Sequence, residues 1–272
     1  IRFSTAKDVN MGPVSWNSSL NLSTNKNKVL ALAPGQTQII GSKGFSITEV
    51  GKSISELYGY EIIGVYKSDE DFKKYPAMAG TQIGDYIIKN QNDDNVINTK
   101  DKKSFGSPLP KVVLGWNNTF RYKNFDLNVY FYGQLDLLKS GSYKDYWIVG
   151  SGTMTGVNNL YRGYNMPTSA KEVWSHDNTS GKMPGYFQYM SNYGYGDYFL
   201  EKSWFIRCRN ITLGYTLPVK SAKKLVSNVR IYADVNNLFT ITPYDGLDVE
   251  TDDSYWAYPN VRSFSIGLDI TF

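Results

Sequence analysis

The stretch Val261-Arg262-Ser263-Phe264-Ser265-Ile266-Gly267-Leu268-Asp269-Ile270-Thr271-Phe272 decides how the rest of this chain is read. From Phe264 onward, even positions are large and apolar, odd positions small or polar. Successive strand side chains point to opposite faces, so Phe264, Ile266, Leu268, Ile270 and Phe272 share one face. Ser263, Ser265, Gly267, Asp269 and Thr271 share the other. A barrel wall with lipid outside and a wet lumen inside has this pattern. An edge strand of a soluble sandwich alternates as well, so the segment alone leaves both architectures open.

Composition narrows the classes. The mean hydropathy is −0.39, and no run of eighteen or so apolar residues occurs, which excludes a helical membrane protein. A β-barrel survives this test, because each span needs only about ten alternating residues while lumen and loops stay polar. The 22 Tyr, 13 Phe and 6 Trp match the aromatic girdles of such a barrel, although a lectin-like soluble β protein would share them. The net charge of +4 comes from scattered lysines without a basic stripe, which argues against nucleic acid as a partner. Cys208 is the only cysteine, so an internal disulfide is impossible. The opening Ile1-Arg2-Phe3-Ser4 reads as the middle of a longer polypeptide.

Other segments repeat the alternation. Val14, Trp16, Leu20 and Leu22 oppose Ser15, Asn17, Ser19, Asn21 and Ser23, ending at the turn-forming Thr24-Asn25-Lys26-Asn27. Val112, Leu114, Trp116, Phe120 and Tyr122 lead through a tight Lys123-Asn124 turn to Phe125, Leu127, Val129 and Phe131, a hairpin with one apolar face. Ile211, Leu213, Tyr215 and Leu217, then Val229, Ile231, Ala233 and Val235, form a second pair joined through 218–228. Arg230 and Asp234 of that pair are too costly to face lipid and are expected to point inward. The expected spans are Ile1 to Asp8, Val14 to Ser23, roughly Ser46 to Tyr66, Lys111 to Tyr122, Phe125 to Leu138, Trp204 to Leu217, Val229 to Ile241 and Tyr258 to Phe272. With Phe272 at the periplasmic end, the short turns after Tyr122 and Pro218 fall on the periplasmic side. The long segments Lys67 to Pro110, Lys139 to Phe199 and Thr242 to Tyr258 fall outside the cell. This consistency favours the barrel over the sandwich.

Five segments carry a family resemblance: Leu109-Pro110-Lys111-Val112-Val113-Leu114-Gly115-Trp116, Tyr122-Lys123-Asn124-Phe125-Asp126-Leu127, the run from Ile206 to Pro218, the run from Val229 to Phe239, and the closing strand. In this order they resemble the C-terminal barrel strands of SusC-like (SusC/RagA) TonB-dependent outer-membrane transporters. The resemblance implies an all-β chain supplying the last strands of a transmembrane barrel of about 22 strands with long extracellular loops. It implies a bacterial outer-membrane location, with the plug, the energy-coupling box and the earlier strands lying outside this chain. It further implies import of oligosaccharides or peptides under a SusD-like lipoprotein lid, driven by the TonB complex through the part not present here. Phe272 fits the terminal signal read by barrel-assembly machinery. Two rival roles stay open: a SusC-like barrel that scaffolds other outer-membrane proteins, and a self-contained small barrel acting as an enzyme or adhesin.

One loop carries metal-ligand spacing. Asn90-Gln91-Asn92-Asp93-Asp94-Asn95-Val96-Ile97-Asn98-Thr99-Lys100-Asp101 places side-chain oxygens at positions one, three, five and nine (Asn90, Asn92, Asp94, Asn98), the carbonyl of Val96 at seven and Asp101 at twelve, as in an EF-hand-type calcium loop. SusC-like chains resemble this with a more Asp-rich version. Here Asn90 replaces the first Asp, Asn95 the turn glycine and Asp101 the final Glu, so the expectation is weak calcium binding or a plain Asx-rich turn. Asn95 can still adopt the left-handed backbone.

Catalysis is not expected. His176 is the only histidine and has no evident partner, and Glu70-Asp71 and Asp252-Asp253 are adjacent pairs in polar loops rather than an acid and base across a substrate. The long loop is instead dense in aromatics. Tyr143, Tyr146, Trp147, Tyr161, Tyr164 and Trp174 are candidates for cargo or lid contact, against the alternative of packing within the loop or placement in a girdle.

Overall fold

Alternation becomes pairing in the computed structural model, which describes residues 2–41, 45–141, 168–182, 196–197, 200–218, 226–251 and 257–272. In chain order the elements are β1 (Arg2–Met11), β2 (Val14–Thr24), β3 (Gln38–Ile40), β4 (Ser46–Glu49), β5 (Glu56–Tyr60), β6 (Ile62–Val65), a short helix α1 (Asp69–Lys74), β7 (Tyr86–Ile88), β8 (Lys102–Gly106), β9 (Val112–Tyr122), β10 (Phe125–Leu135), β11 (Leu138–Ser140), β12 (Leu200–Lys202), β13 (Phe205–Thr216), β14 (Asn228–Ile241) and β15 (Ser263–Thr271). Seven long strands form one antiparallel sheet in the order β1-β2-β9-β10-β13-β14-β15. The sheet stays open, with β1 and β15 as its two edges.

Register lines up the apolar face across the sheet. Val9, Trp16, Phe120, Leu127, Leu213, Ala233 and Ile266 are successive cross-strand partners. One residue along, Asn17, Thr119, Asn128, Thr212, Asp234 and Ser265 form an entirely polar row. A one-residue slip of any strand would carry its apolar set to the wrong face, so this match fixes register strongly. Among the described residues nothing covers the apolar face at β15, where Ile266 is 85% and Phe264 71% exposed. Strands of about eleven residues at ~3.3 Å each, tilted by ~45°, give a band roughly 25 Å tall, the height of a bilayer's hydrocarbon core.

Tight turns join the strands at one end only. Gly12, at φ +64°, and Pro13 close β1 onto β2 with Met11 opposite Val14. Lys123, at φ +52°, and Asn124 close β9 onto β10 with Tyr122 opposite Phe125. At the other end the chain makes long excursions, 25–111, 136–204 and 242–262.

One expected span is corrected. The stretch from Ser46 to Tyr66 does not cross the sheet, because β2 pairs directly with β9. It breaks into β4, β5 and β6, interrupted by Gly51 at φ +91° and Ser55 at φ +52°. These short strands pair within their own excursion: β3, β4, β5 and β8 form a four-stranded sheet, and β6 and β7 a two-stranded one. Pieces of four or five residues are too short to span a bilayer. The first long excursion, expected to lie outside the cell, therefore begins near residue 25 rather than at Lys67.

The excursions have conventional cores. Tyr60, Ile88 and Ile97 pack together under Met78, and Val65, Tyr86 and Trp174 form a second cluster with Ile62 and Ile83. Trp174 belongs to the segment 136–204, so the second cluster joins two excursions. A parallel bridge from Tyr60 to Gly196 and a bond from the Ile62 N–H to the Asp197 carboxylate at 2.9 Å strengthen that joint.

Candidate functional site

The polar face is the wall of a lumen, and its side chains satisfy one another. The Arg230 guanidinium grips Asp126 with two parallel bonds, 3.0 Å from Nε and 2.6 Å from Nη2, and reaches Asp269 at 3.3 Å. This bidentate pair crosses three strands, β10, β13 and β14, because Gly214 between them has no side chain; a Cβ there would collide with both partners. Tyr232 likewise lies flat over Gly267. Higher on the wall, Asp234 accepts from Asn210 and Thr212, each at 2.6 Å, and from Asn236 at 2.8 Å. Asn128 donates to Asn117 and Thr119, each at 3.0 Å. Arg230 and Asp234 thus face inward, as the cost of charge in lipid requires.

At the upper rim a bulge redirects the wall. Register shifts between Tyr130 and Phe131 on β10 and between Cys208 and Asn210 on β13, leaving Arg209 as the extra residue. Plain alternation would put Arg207 on the lipid face with Ile211. The bulge turns it to the lumen and places Cys208 opposite Phe131 and Phe239 instead. Arg207 is almost fully buried and binds Asp248 at 2.6 Å and Glu250 at 2.9 Å, while Arg209 binds Glu250 at 2.8 Å. Burial opposes ionisation of Asp248, but the Arg207 guanidinium and the backbone N–H groups of Glu250 and Asn260 prevail and hold its carboxyl below the usual range. The cluster ties the segment 242–262 to the barrel mouth, beside a polar cavity of about 240 Å³ lined by Arg207, Thr240, Asp248 and Arg262. Alternation alone could not reveal it. The neighbouring pair Arg207-Cys208-Arg209, two arginines at positions that the pattern assigns to lipid, was the available signal.

The loop 90–101 closes on its own hydrogen bonds. Asp101 is fully buried, with Oδ1 accepting from the Gln91 N–H at 2.9 Å and Oδ2 from the Asn98 N–H at 2.8 Å. Asn90 accepts from the Asn92 N–H at 3.3 Å, Asn92 from the Asp94 N–H at 3.2 Å, Asp94 from the Val96 N–H at 2.9 Å, and Asn98 from the Lys100 N–H at 2.8 Å. Asn95 takes the left-handed conformation at φ +61°, the role of the missing glycine. The donor set offers a cation two carboxylates, one of them already engaged by two backbone donors, which does not fit a tight calcium site. Among the described residues no group of three or more His, Cys, Asp or Glu side chains could hold a metal. Beside the loop, Glu61 collects Lys103 at 2.7 Å, Gln91 at 2.8 Å and Lys89 at 3.3 Å, which pull its carboxyl down to about 2.

Of the six aromatic candidates, Tyr143, Tyr146, Trp147, Tyr161 and Tyr164 lie outside the described residues. Trp174 is buried against Val65 and Tyr86, with His176 edge-on to its ring at 5.2 Å. Its apolar surface is spent on joining two excursions.

No family model matches the chain. TonB-dependent receptor P3 of Formosa agariphila is 29% identical over 95% of the chain and 27% of its own length. TonB-dependent receptor SusC of Bacteroides thetaiotaomicron is 28% identical over 98% of the chain and 25% of its own length. The chain thus spans about a quarter of the length of the curated relatives it matches. Among solved structures, that of the RagAB peptide transporter superposes over 100% of the chain and 28% of the matched one, with a TM-score of 0.81 at 19% identity. An open seven-stranded wall, apolar outside and hydrogen-bonded inside, is what a part of such a barrel should look like: over nearly its whole length the chain is similar to TonB-dependent receptors, SusC among them, and its fold is that of a portion of a SusC-like transmembrane β-barrel.

Proposed function

We propose that this chain is the C-terminal part of the barrel of an energy-coupled importer of large nutrients, oligosaccharides or peptides, working beneath a SusD-like lipoprotein lid and driven by TonB through a plug encoded elsewhere in the receptor. The observation that carries the reading is the self-satisfied polar wall of Arg230, Asp126, Asp269, Asp234 and Asn128, which lines a conduit without offering a catalytic pair. A wall of this kind guides cargo past without binding it tightly, and no reaction is assigned to it. The knitted excursions give a lid a firm platform. In the same reading the loop 90–101 is either a weak calcium site, through Asn90, Asn92, Asp94, Val96 O, Asn98 and Asp101, or a plain Asx-rich turn, and the two backbone N–H groups already held by Asp101 favour the turn.

The test is growth and uptake. Cells lacking the full-length receptor, or lacking TonB, are expected to lose growth on one class of polymer-derived nutrient and to recover it with the wild-type receptor. Recovery by a receptor with its plug deleted would instead support a scaffold. For the loop, calcium content that is unchanged in the purified receptor after Asp94→Ala and Asp101→Ala removes the metal.

A further inference from the structure

The outward face of the wall has one polar interruption. Lys7, Ser18 and Asn118 are successive cross-strand partners on β1, β2 and β9. By register, Lys7 is the only charged residue at an outward position among the described residues of the seven strands, and no carboxylate of those residues takes an outward position. Two indoles turn their N–H groups to this row: Trp16 donates to Asn118 at 3.1 Å, and Trp116 to Ser18 at 3.0 Å. Their rings stack on Phe120, at 5.8 Å, and on Phe131, at 5.7 Å.

The short side chains of Ser18 and Asn118 between these rings leave a trough. It has a volume of about 720 Å³ and is lined by Val9, Trp16, Leu20, Leu114, Phe131 and Ile206 together with Lys7. Gly133, paired with Leu114 and Ile206, keeps its upper end open. Lys7 stands four residues above the Met11-Val14 turn, so its Cα sits roughly 9 Å above the periplasmic edge, at ~3.3 Å per residue and ~45° of tilt. A lysine at this depth can extend its ammonium to the interface. Along the strands the trough runs about six residues, from the row of Trp16 and Phe120 to that of Leu114 and Gly133, a climb of ~14 Å into the bilayer at the same tilt.

We propose that this trough binds one anionic phospholipid of the periplasmic leaflet, with an acyl chain along the aromatic walls and the phosphate on Lys7. Charge complementarity selects the occupant. An ionisable residue facing the membrane is costly unless it is partnered, and the polar head of an anionic lipid supplies the partner at the level the lysine reaches. A second barrel docked here would have to bring a carboxylate into hydrocarbon. The inference rests on the barrel reading but not on cargo or TonB, so its failure and the failure of import are separate results.

The experiment uses the full-length receptor, delipidated in detergent and titrated with phosphatidylglycerol or phosphatidylcholine under native mass spectrometry. Wild-type receptor should hold one phosphatidylglycerol more tightly than later ones and more tightly than phosphatidylcholine. Lys7→Gln, at an exposed position that does not threaten folding, should weaken that first binding about fivefold. Ser18→Phe, which fills the trough, should remove it. Equal binding of the two lipids, or phosphatidylglycerol binding unchanged by Lys7→Gln, overturns the proposal. So does a disulfide-linked receptor pair formed in outer membranes by Lys7→Cys, which would make a second copy the occupant.

Discussion

The seven-stranded sheet and the excursion 25–111 are made from similar residues and are built inside out relative to each other. In the sheet, Phe264, Ile266, Leu213 and Ile231 stand exposed while Arg230, Asp126 and Asp234 are knitted together on the concealed face. In the excursion, Tyr60, Ile88 and Ile97 are buried while Lys73, Glu70 and Lys100 point to water. The difference teaches that solvent, not propensity, sets which face is turned out. Lipid accepts the apolar set and makes every unpaired polar group expensive; water reverses both terms. It also explains why the excursion needs clusters such as Val65, Tyr86 and Trp174, whereas the sheet is held chiefly by its ladder and its polar network.

Removing the ring that joins the two excursions should have the largest effect. Trp174→Ala is expected to cost about 3–5 kcal/mol of local stability, seen as faster proteolysis of the extracellular segments of the full-length receptor while heat-modifiability of the barrel is retained. Loss of both together would mean that sheet and excursion are not separable units. Ile211→Arg, on the lipid face between midplane and interface, should cost about 1–2 kcal/mol by urea unfolding in vesicles, while Thr212→Arg, one residue along and facing the lumen, should cost less. Equal penalties would refute the assignment of faces.

The smallest effect is set by pH. Lys103, Gln91 and Lys89 lower the Glu61 carboxyl to about 2, so the stability it contributes is complete above its ordinary value near 4.5 and is lost as pH falls through about 2. Protease sensitivity of the segment around the loop 90–101 should therefore rise across that window, and Glu61→Gln should flatten the rise.

Much of the wall was legible from residue order. Alternation in Val14 to Ser23, broken only at Ser18, and in Phe125 to Phe131 and Ser263 to Phe272 predicts strand and face together, because a period of two leaves no other way to separate the apolar set. The tight turns at Lys123-Asn124 and the contrast of loop lengths set the sidedness. The span drawn through Ser46 to Tyr66 failed because short strands in a water-exposed excursion alternate much as lipid-facing ones do, and length, not pattern, separates them. The rim cluster was missed because the bulge at Arg209 breaks the period the reading relied on.

The sequence by itself therefore determined the class of the chain, a barrel wall with one face for lipid and one for water, since hydrophobic periodicity is a local property that each strand carries alone. Only the tertiary structure decided which strands are neighbours, that Arg207 turns inward to Asp248 and Glu250, that Asp101 spends its carboxylate on Gln91 and Asn98, and that Lys7, Ser18 and Asn118 meet in one row. Those facts depend on contacts between residues about a hundred or more positions apart, and on a single extra residue that shifts a register, neither of which leaves a periodic trace in the chain.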